Sequence, residues 1–233
     1  MRSRRLGVSL GINLQPQRSK LCSFDCPYCS CGFNTPRAAG SRWPSPDEVV
    51  HSVTRALARL PAPPDCITFS GNGEPTLHPR FAVVVDRVLL ARAAAAPEVR
   101  VGILSNGLTA GHKPVREALM RLDQRIMKFD PGPMEQVNGV RHDVDRLVDD
   151  YRGLKPYTVQ AMVVKGRDWD GSSEVSVASW LPRLARAEPD VVQLSSLARR
   201  PADASVLNVP RERLDEMAIA IRKALPQCRV EVF

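Results

Sequence analysis

Cysteines at positions 22, 26 and 29 lie in one short segment of the chain, and their thiols could do chemistry. Thiolates are soft ligands that suit iron–sulfur clusters. A four-iron cubane normally takes four cysteines, so three would leave one iron without a protein ligand. A metal with an open position can bind a reactant, as catalytic zinc does. The spacing of Cys22, Cys26 and Cys29 therefore predicts a reactive cluster rather than one that only stores electrons.

A fourth thiol, Cys31, follows two residues after Cys29. It could shield the cluster, react with substrate, ligate an intermediate or be a spectator, and these alternatives stay open. The four thiols together could instead form a structural zinc site, although zinc modules usually bring two separated arms together. Cys66 and Cys228 are isolated in the sequence and are predicted to be small buried hydrophobic residues.

A glycine-rich segment with the sequence SGNGEPTLHP runs from residue 70 to residue 79. Gly71 and Gly73 would let a ligand approach the backbone closely, and Glu74 offers a carboxylate to an amine. We expect His78 to fix the turn rather than to transfer protons. Alone, such a segment could be an ordinary glycine turn. Beside the cysteines, it predicts a binding site.

Strands and helices must position these residues. Short β-branched runs alternate with helical patterns along the chain, which is typical of βα units around a parallel sheet. The predicted strands cover residues 6–14, 66–70, 99–105, 125–130, 157–164 and 191–195, with an edge strand at 229–233. Six such units predict an α/β fold, an incomplete (β/α)6 TIM-like barrel with parallel strands. Sites in these folds lie at the carboxyl ends of strands. The cysteines, the glycine-rich segment and the runs SNG (105–107) and KFD (128–130) all follow predicted strands.

The first helix has the clearest predicted start, because Ser45 can cap it, Pro46 suits its first turn and Glu48 completes a capping box. A second helix is predicted after Pro79, and others at 114–122, 143–154, 174–187 and 211–225. Pro182 is expected to kink or restart the helix that contains it.

Composition limits the class of protein. The 233 residues are 43% hydrophobic, which predicts one domain over residues 1–233. No apolar run is long enough to span a membrane and the N-terminus lacks a signal peptide, so we expect a cytoplasmic protein without a membrane partner. The net charge of +8 would attract phosphate-bearing partners, but only 5% of residues are aromatic and no basic–aromatic stripe for stacking bases is visible.

The cysteine loop after the first strand and the Gly-Glu-Pro element after the second resemble the radical S-adenosylmethionine (radical SAM) enzymes, and the order of the later strand ends matches as well. The resemblance spans nearly the whole chain. The run FSGNGEPTLHP, the start RRLGVSLG and the Arg-Arg-Pro at 199–201 further resemble iron–sulfur oxidoreductases related to the tRNA wybutosine-synthesis enzyme. This narrower likeness concerns ancestry and need not fix the substrate.

The resemblance implies roles for individual residues. Cys22, Cys26 and Cys29 would hold a [4Fe-4S] cluster, and the amine and carboxylate of S-adenosylmethionine would chelate the fourth iron. The residues implied to bind S-adenosylmethionine are Gly71, Asn72, Gly73 and Glu74 near the methionine amine, Ser105 and Asn106 near the carboxylate or ribose, Lys128 and Asp130 near the ribose, and Gln160 and Leu194 near the adenine. From the residues alone, Asp130 could equally cap its own loop and Lys128 could pair with a carboxylate.

The implied activity is reductive cleavage of S-adenosylmethionine to a 5′-deoxyadenosyl radical that abstracts hydrogen from a small or nucleotide-like substrate, with a reductant such as flavodoxin or ferredoxin as partner. The alternatives are an enzyme that modifies tRNA or another RNA, a glycyl-radical activase that acts on a partner protein, and a noncatalytic iron–sulfur or zinc-binding protein. A passive metal site would not need Glu74 and its glycine turn, which argues against the last.

Overall fold

The computed structural model describes residues 2, 3, 5–17, 19–36 and 42–233. Its residue contacts group the chain into two compact units. The first comprises residues 1–22, 34–105 and 109–125, and the second comprises residues 23–33, 106–108 and 126–233. The single domain over residues 1–233 stays a prediction.

The first unit contains strands β1 to β4 and helices α1 to α3. Its strands are β1 (Arg2–Ser3), β2 (Gly7–Ile12), β3 (Cys66–Phe69) and β4 (Arg100–Ser105), and its helices are α1 (Pro46–Arg59), α2 (Phe81–Ala95) and α3 (Lys113–Met120). β2, β3 and β4 are parallel neighbours in that order, and β1 pairs antiparallel with β2. All four residues of β3 are buried, as expected for a parallel strand with both faces covered.

Helix α1 begins as predicted. The Ser45 hydroxyl accepts a hydrogen bond from Glu48 N at 3.3 Å, and Ser45 N donates to Glu48 Oε2 at 2.7 Å. These two bonds form the capping box and satisfy amides that the first turn leaves free. Val49 and Val53 then lie on the buried face of the helix, which packs against α2. The helix therefore brings the chain back to the sheet before β3.

The second unit continues from β5 (Gln124–Lys128), whose last three residues belong to it. Its other strands are β6 (Thr158–Met162), β7 (Val164–Lys165), β8 (Val191–Ser195), β9 (Leu207–Asn208) and β10 (Arg229–Val232), and its helices are α4 (Met134–Asn138), α5 (Val144–Arg152), α6 (Glu174–Ala187) and α7 (Arg211–Ala224). β5, β6, β8 and β10 are parallel neighbours, whereas β7 and β9 form a short antiparallel pair. Trp180, Leu184 and Ile221 carry the buried faces of α6 and α7.

Parallel strands joined by helices confirm the predicted α/β class. Three predictions differ from the structure in detail. The strand predicted at 157–164 is divided at Val163, because Val164 leaves β8 to pair with β9. Helix α6 runs continuously through Pro182 and does not restart there. Helix α4 was missed, because Pro131, Gly132 and Pro133 before it are residues typical of loops. Among the described residues no helix is long and apolar enough to cross a membrane.

Candidate active site

The cysteine loop is fastened at its base within the first unit. Lys20 N donates to Thr35 Oγ1 at 2.8 Å, and Thr35 N donates to Lys20 O at 3.1 Å. The Asn34 side chain accepts from Cys22 N at 2.9 Å and donates to Cys22 O at 3.0 Å. Both backbone groups of Cys22 are thus bound by a single amide side chain. This arrangement fixes the first cysteine without using its sulfur.

Glu74 lies at the centre of a buried polar network in the same unit, with only 2% of its surface exposed. Its Oε1 accepts hydrogen bonds from Thr76 N at 3.1 Å, Thr76 Oγ1 at 2.7 Å and Ser105 Oγ at 2.7 Å. Gln15 Nε2 donates to the Glu74 carbonyl oxygen at 3.0 Å, and Glu74 N donates to Leu21 O at 3.0 Å. The carboxylate that follows β3 and the hydroxyl at the end of β4 therefore meet, because β3 and β4 are parallel neighbours.

The glycines before Glu74 are required because neighbouring atoms leave no room for a Cβ. A Cβ added at Gly73 would lie 2.6 Å from Gln15 Cδ and closer still to the Leu21 carbonyl oxygen, and one at Gly71 would lie 2.6 Å from Asn13 Cγ. Between them, Asn72 Nδ2 donates to Ser19 O at 3.1 Å. Asn72 Oδ1 is buried and has no hydrogen-bond partner in the part of the chain that the structure describes. An unpaired buried acceptor of this kind is costly unless a ligand supplies a donor.

The second unit builds another buried network around Asp130, whose side chain is completely buried. Asp130 Oδ1 accepts from Met162 N at 2.7 Å and forms an ion pair with Lys128 Nζ at 3.4 Å. Asp130 Oδ2 accepts from the Tyr28 hydroxyl and from Asn138 Nδ2, the latter at 3.0 Å. Lys128 pairs with a carboxylate, and Asp130 binds the cysteine loop through Tyr28.

Burial raises the pKa of two residues of the cysteine loop. It raises the pKa of the Cys26 thiol to about 12, and the nearby Asp130 carboxylate acts in the same direction. The same two causes, in the same order, raise the pKa of Tyr28 well above its ordinary value, which keeps the hydroxyl a donor to Asp130. A thiol must lose its proton to ligate a metal, so binding of metal at Cys26 would release a proton.

Asn106 contacts the cysteine loop at Ser23. Ser23 Oγ donates to Asn106 Oδ1 at 3.1 Å, and Asn106 Nδ2 lies 2.9 Å from Ser23 Oγ. The Tyr151 hydroxyl lies 2.8 Å from the Asn106 carbonyl oxygen and 2.7 Å from that of Lys128. Gly107, with φ +76°, leaves room for the Tyr151 ring. Tyr151 thus joins the backbone of Asn106 to the carboxyl end of β5 within the second unit.

The residues predicted near the adenine occupy different environments. Gln160 is half-buried on β6 and pairs in register with Lys128 on β5. Leu194 on β8 is completely buried, and the alternation of a strand places it on the opposite face from its neighbour Gln193. Gln193 pairs in register with Gln160 and is also buried. The roles of Gln160 and Leu194 stay predictions.

None of the described cysteines forms a disulfide bond. Cys26 is buried, Cys22 and Cys29 are half-buried and Cys31 is exposed, while Cys66 and Cys228 are buried as predicted. Within the described ranges, no three side chains among His, Cys, Asp and Glu converge on one metal ion. In a cubane each cysteine ligates its own iron, so its thiols need not converge on one point. Three reduced cysteines on one loop suit a cluster, and the buried Asn72 oxygen suits a polar ligand.

Sequence reasoning missed three residues, each of which fixes part of the cysteine loop or a strand end within its own unit. The Asn34 side chain binds Cys22, and the Asn138 side chain lies near Cys26. The Tyr151 hydroxyl binds the carbonyl oxygen of Asn106. Asn34 could have been identified from the sequence, because it is a polar residue at the far end of the loop and only 12 residues from Cys22. Asn138 and Tyr151 lie on helices, where the spacing of apolar residues predicts which positions are buried but not which residues they contact.

Comparison with known proteins identifies the family. The profile of the Radical SAM superfamily matches residues 17–161. A UPF0026 protein of Helicobacter pylori is 26% identical over 202 residues, which are 81% of this chain and 63% of that protein. The chain thus spans less than two thirds of the length of this relative.

Solved structures share the fold. SuiB of Streptococcus suis bound to the precursor peptide SuiA has a TM-score of 0.70 at 13% identity, covering 97% of this chain and 48% of SuiB. SuiB bound to S-adenosylmethionine has a TM-score of 0.67 at 14% identity, covering 97% of this chain and 50% of SuiB. These likenesses confirm the predicted class of partial TIM-like barrel. The chain belongs to the radical SAM superfamily, whose members use a [4Fe-4S] cluster and S-adenosylmethionine.

Proposed function

We propose that this chain is a radical SAM enzyme in which Cys22, Cys26 and Cys29 hold the cluster and the segment from Gly71 to Glu74 holds the methionine end of S-adenosylmethionine. The observation that carries the proposal is the buried network of Glu74. The sequence alone predicted a role for Glu74, after β3, and separately for Ser105, at the end of β4. The bond from Ser105 Oγ to Glu74 Oε1 joins the two residues in this network. A fixed carboxylate is suited to orienting an amine.

The residues of the chain bind and orient, and the cofactors supply the reactive chemistry. When bound, the cluster and S-adenosylmethionine would supply one-electron reductive cleavage of S-adenosylmethionine and abstraction of hydrogen from the substrate. Gly71 and Gly73 let the ligand approach the backbone, and Asn72 Oδ1 is positioned to accept a hydrogen bond. In the second unit Asn106, Lys128 and Asp130 hold fixed positions through their hydrogen bonds and ion pair.

The substrate class that we propose is a small or nucleotide-like molecule. An open cavity of about 850 Å³ in the first unit has a volume typical of sites for small molecules. Its polar lining residues include Asn13, Gln15, Gln17, His51 and Asn72. An external one-electron donor, such as flavodoxin or ferredoxin, completes the proposed system.

The test is anaerobic reconstitution with iron and sulfide, reduction with dithionite and addition of S-adenosylmethionine. We expect 5′-deoxyadenosine from the wild-type protein and none from Cys22→Ala, Cys26→Ala or Cys29→Ala. Cys228→Ala is the matched control. Cys228 is also buried but lies far from the cysteine loop in the sequence, so its replacement should leave cleavage unchanged. Wild-type protein that carries its full iron complement and yields no 5′-deoxyadenosine would refute the proposal.

Two further variants resolve the site. Glu74→Gln keeps the shape of the side chain and removes its charge, so we expect affinity for S-adenosylmethionine to fall about tenfold, as for loss of one charge-assisted hydrogen bond. Cys31→Ala distinguishes the roles left open for the fourth thiol, and cleavage by this variant at the wild-type rate would exclude an essential part in the cluster. Unchanged affinity in Glu74→Gln would contradict the role assigned to Glu74.

RNA modification is the second candidate, and the observation that favours it is the net charge of +8. It predicts RNA binding that persists at physiological salt and RNA that is altered in the presence of S-adenosylmethionine and reductant. Mass spectrometry of nucleosides from incubated RNA decides between the two candidates.

A further inference from the structure

The Asn138 amide lies between a carboxylate and a cysteine sulfur. It is the last residue of α4 and only 2% exposed. Its Nδ2 lies 3.0 Å from Asp130 Oδ2 and 3.8 Å from Cys26 Sγ. A primary amide has two N–H donors and can serve both partners at once. Because the Asp130 carboxylate only accepts hydrogen bonds, the nitrogen of the amide must face it rather than the amide oxygen.

Asp130 cannot easily release Asn138. Its two carboxylate oxygens are also bound by Met162 N, the Lys128 ammonium and the Tyr28 hydroxyl. With the carboxylate fixed on four sides, the amide plane of Asn138 is fixed as well. The second N–H is therefore directed at Cys26 whether or not the sulfur carries a ligand.

The backbone next to Asn138 holds the same part of the cysteine loop. Asp25 N donates to the Asn138 carbonyl oxygen at 2.7 Å. Gly139 adopts φ +72°, and a Cβ there would lie 2.7 Å from the Asp25 carbonyl carbon. Side chain and backbone at the end of α4 thus fix Cys26 and the residue before it.

We propose that Asn138 donates an N–H···S hydrogen bond to the Cys26 thiolate and thereby raises the reduction potential of the cluster. The inference rests on the proposed function, since it takes Cys26 as a ligand. Reduction adds negative charge to the cluster and its thiolates, so a donor to a ligand sulfur stabilises the reduced state more than the oxidised state. Asn138 acts through Cys26 and is a positioning residue, comparable to the outer partners that tune other metal ligands.

The test measures the potential rather than turnover. Wild-type protein and Asn138→Ala are reconstituted, their iron and sulfide contents are determined, and each is titrated with dithionite while the reduced cluster is followed by electron paramagnetic resonance. We expect the potential of Asn138→Ala to be more negative by about 59 mV, which is a tenfold change in the equilibrium for a one-electron couple. Gln136→Ala is the matched control, because Gln136 is an exposed amide on the same helix. It should keep the wild-type potential.

Each outcome decides the inference. Equal potentials for wild type and Asn138→Ala, with equal iron contents, would overturn it and leave the proposed function intact. A wild-type protein that assembles no cluster would overturn the proposed function and this inference with it. If Asn138→Ala loses the cluster, Asn138→Gln decides between the two roles of the residue. A cluster with the wild-type potential in Asn138→Gln supports an amide donor. Loss of the cluster in Asn138→Gln as well would overturn the inference and show that Asn138 is purely structural.

Discussion

Gly73 has no room for a side chain, because Gln15 and the Leu21 carbonyl oxygen lie against its Cα. We expect Gly73→Ala to weaken binding of S-adenosylmethionine by at least about tenfold, because the new methyl group would collide with Gln15 Cδ and the Leu21 carbonyl oxygen. Backbone cannot move aside as a flexible side chain can, so the segment before Glu74 would shift. Equilibrium dialysis with the reconstituted protein measures the affinity.

Gly11→Ala is the control for this substitution. A Cβ at Gly11 would meet only Ser70 Oγ at 3.6 Å, an ordinary van der Waals distance. This variant should bind S-adenosylmethionine like the wild type, although Gly11 also belongs to the first unit. Equal affinities for Gly73→Ala and Gly11→Ala would show that the crowding at Gly73 has no functional consequence.

His78 makes the stability of the protein depend on pH. Its Nε2 lies 2.8 Å from the Pro44 carbonyl oxygen and its Nδ1 accepts from Arg80 N at 3.1 Å, an arrangement that suits the neutral ring. Burial lowers the pKa of His78 below 6.5, and Arg80 adds to the shift. The unfolded chain therefore takes up a proton at a higher pH than the folded chain does. The stability contributed by the neutral ring is complete above pH 6.5 and is lost as the pH falls through the folded pKa.

We expect His78→Gln to reduce this pH dependence, because glutamine does not titrate. The free energy of unfolding, measured with urea at pH 7.5 and pH 5.5, should fall more for the wild type than for the variant. At pH 7.5 the variant should be less stable by about 1–3 kcal/mol, since Arg80 N loses its acceptor. His51→Gln, on the exposed face of α1, is the control and should follow the wild type. Parallel pH profiles for all three proteins would contradict the assignment.

Among the elements, the end of helix α4 has the clearest consequence. We expect Gly139→Ala to lower the iron content after reconstitution to less than about half, because a left-handed residue with a side chain costs about 1–2 kcal/mol and its Cβ would press on Asp25. Gly153→Ala at the end of α5 is the matched control. Gly153 has φ −74°, a right-handed conformation that alanine adopts freely. Iron contents that fall equally in both variants would argue against a specific role of Gly139.

The elements themselves could largely be predicted from the sequence. The strands ending at Phe69, Ser105 and Ser195 were placed within a residue or so, because parallel strands are buried on both faces and their apolar runs end abruptly at polar residues. The start of α1 was predicted from Ser45 and Glu48, since a capping box is a local signal. Local patterns therefore suffice where local forces decide the structure.

The contacts that connect the elements could not be predicted in this way. The bond from Asn138 Nδ2 to Cys26 Sγ joins residues that are 112 positions apart, and that between the Tyr151 hydroxyl and Asn106 joins residues 45 apart. Neither depends on a periodic pattern, because a buried polar side chain is placed by the partners that satisfy it. Ser105 and Glu74 were predicted individually from the strand ends, but their direct hydrogen bond follows only from the register of β3 and β4.

At the scale of the whole molecule, the net charge of +8 dominates the response to polyanions. We expect single-stranded RNA to bind at 50 mM salt and to lose at least about tenfold in affinity by 200 mM, because binding without base stacking depends on counterion release. Added RNA should not change the yield of 5′-deoxyadenosine. Polyglutamate is the control polyanion and should compete with RNA. Tight binding at 200 mM, together with stimulated cleavage, would favour RNA modification instead.

The hydrogen bonds among Lys20, Cys22, Asn34 and Thr35 have a consequence for how the proposed cluster site would withstand air. Because protein groups alone close the base of this loop, the entropy of bringing its ends together is lost when the chain folds and not when iron enters. If the proposed cluster is destroyed by oxygen, we therefore expect the chain to retain the scaffold that received it. New iron and sulfide should then repair the damage, without unfolding and without synthesis of a new chain.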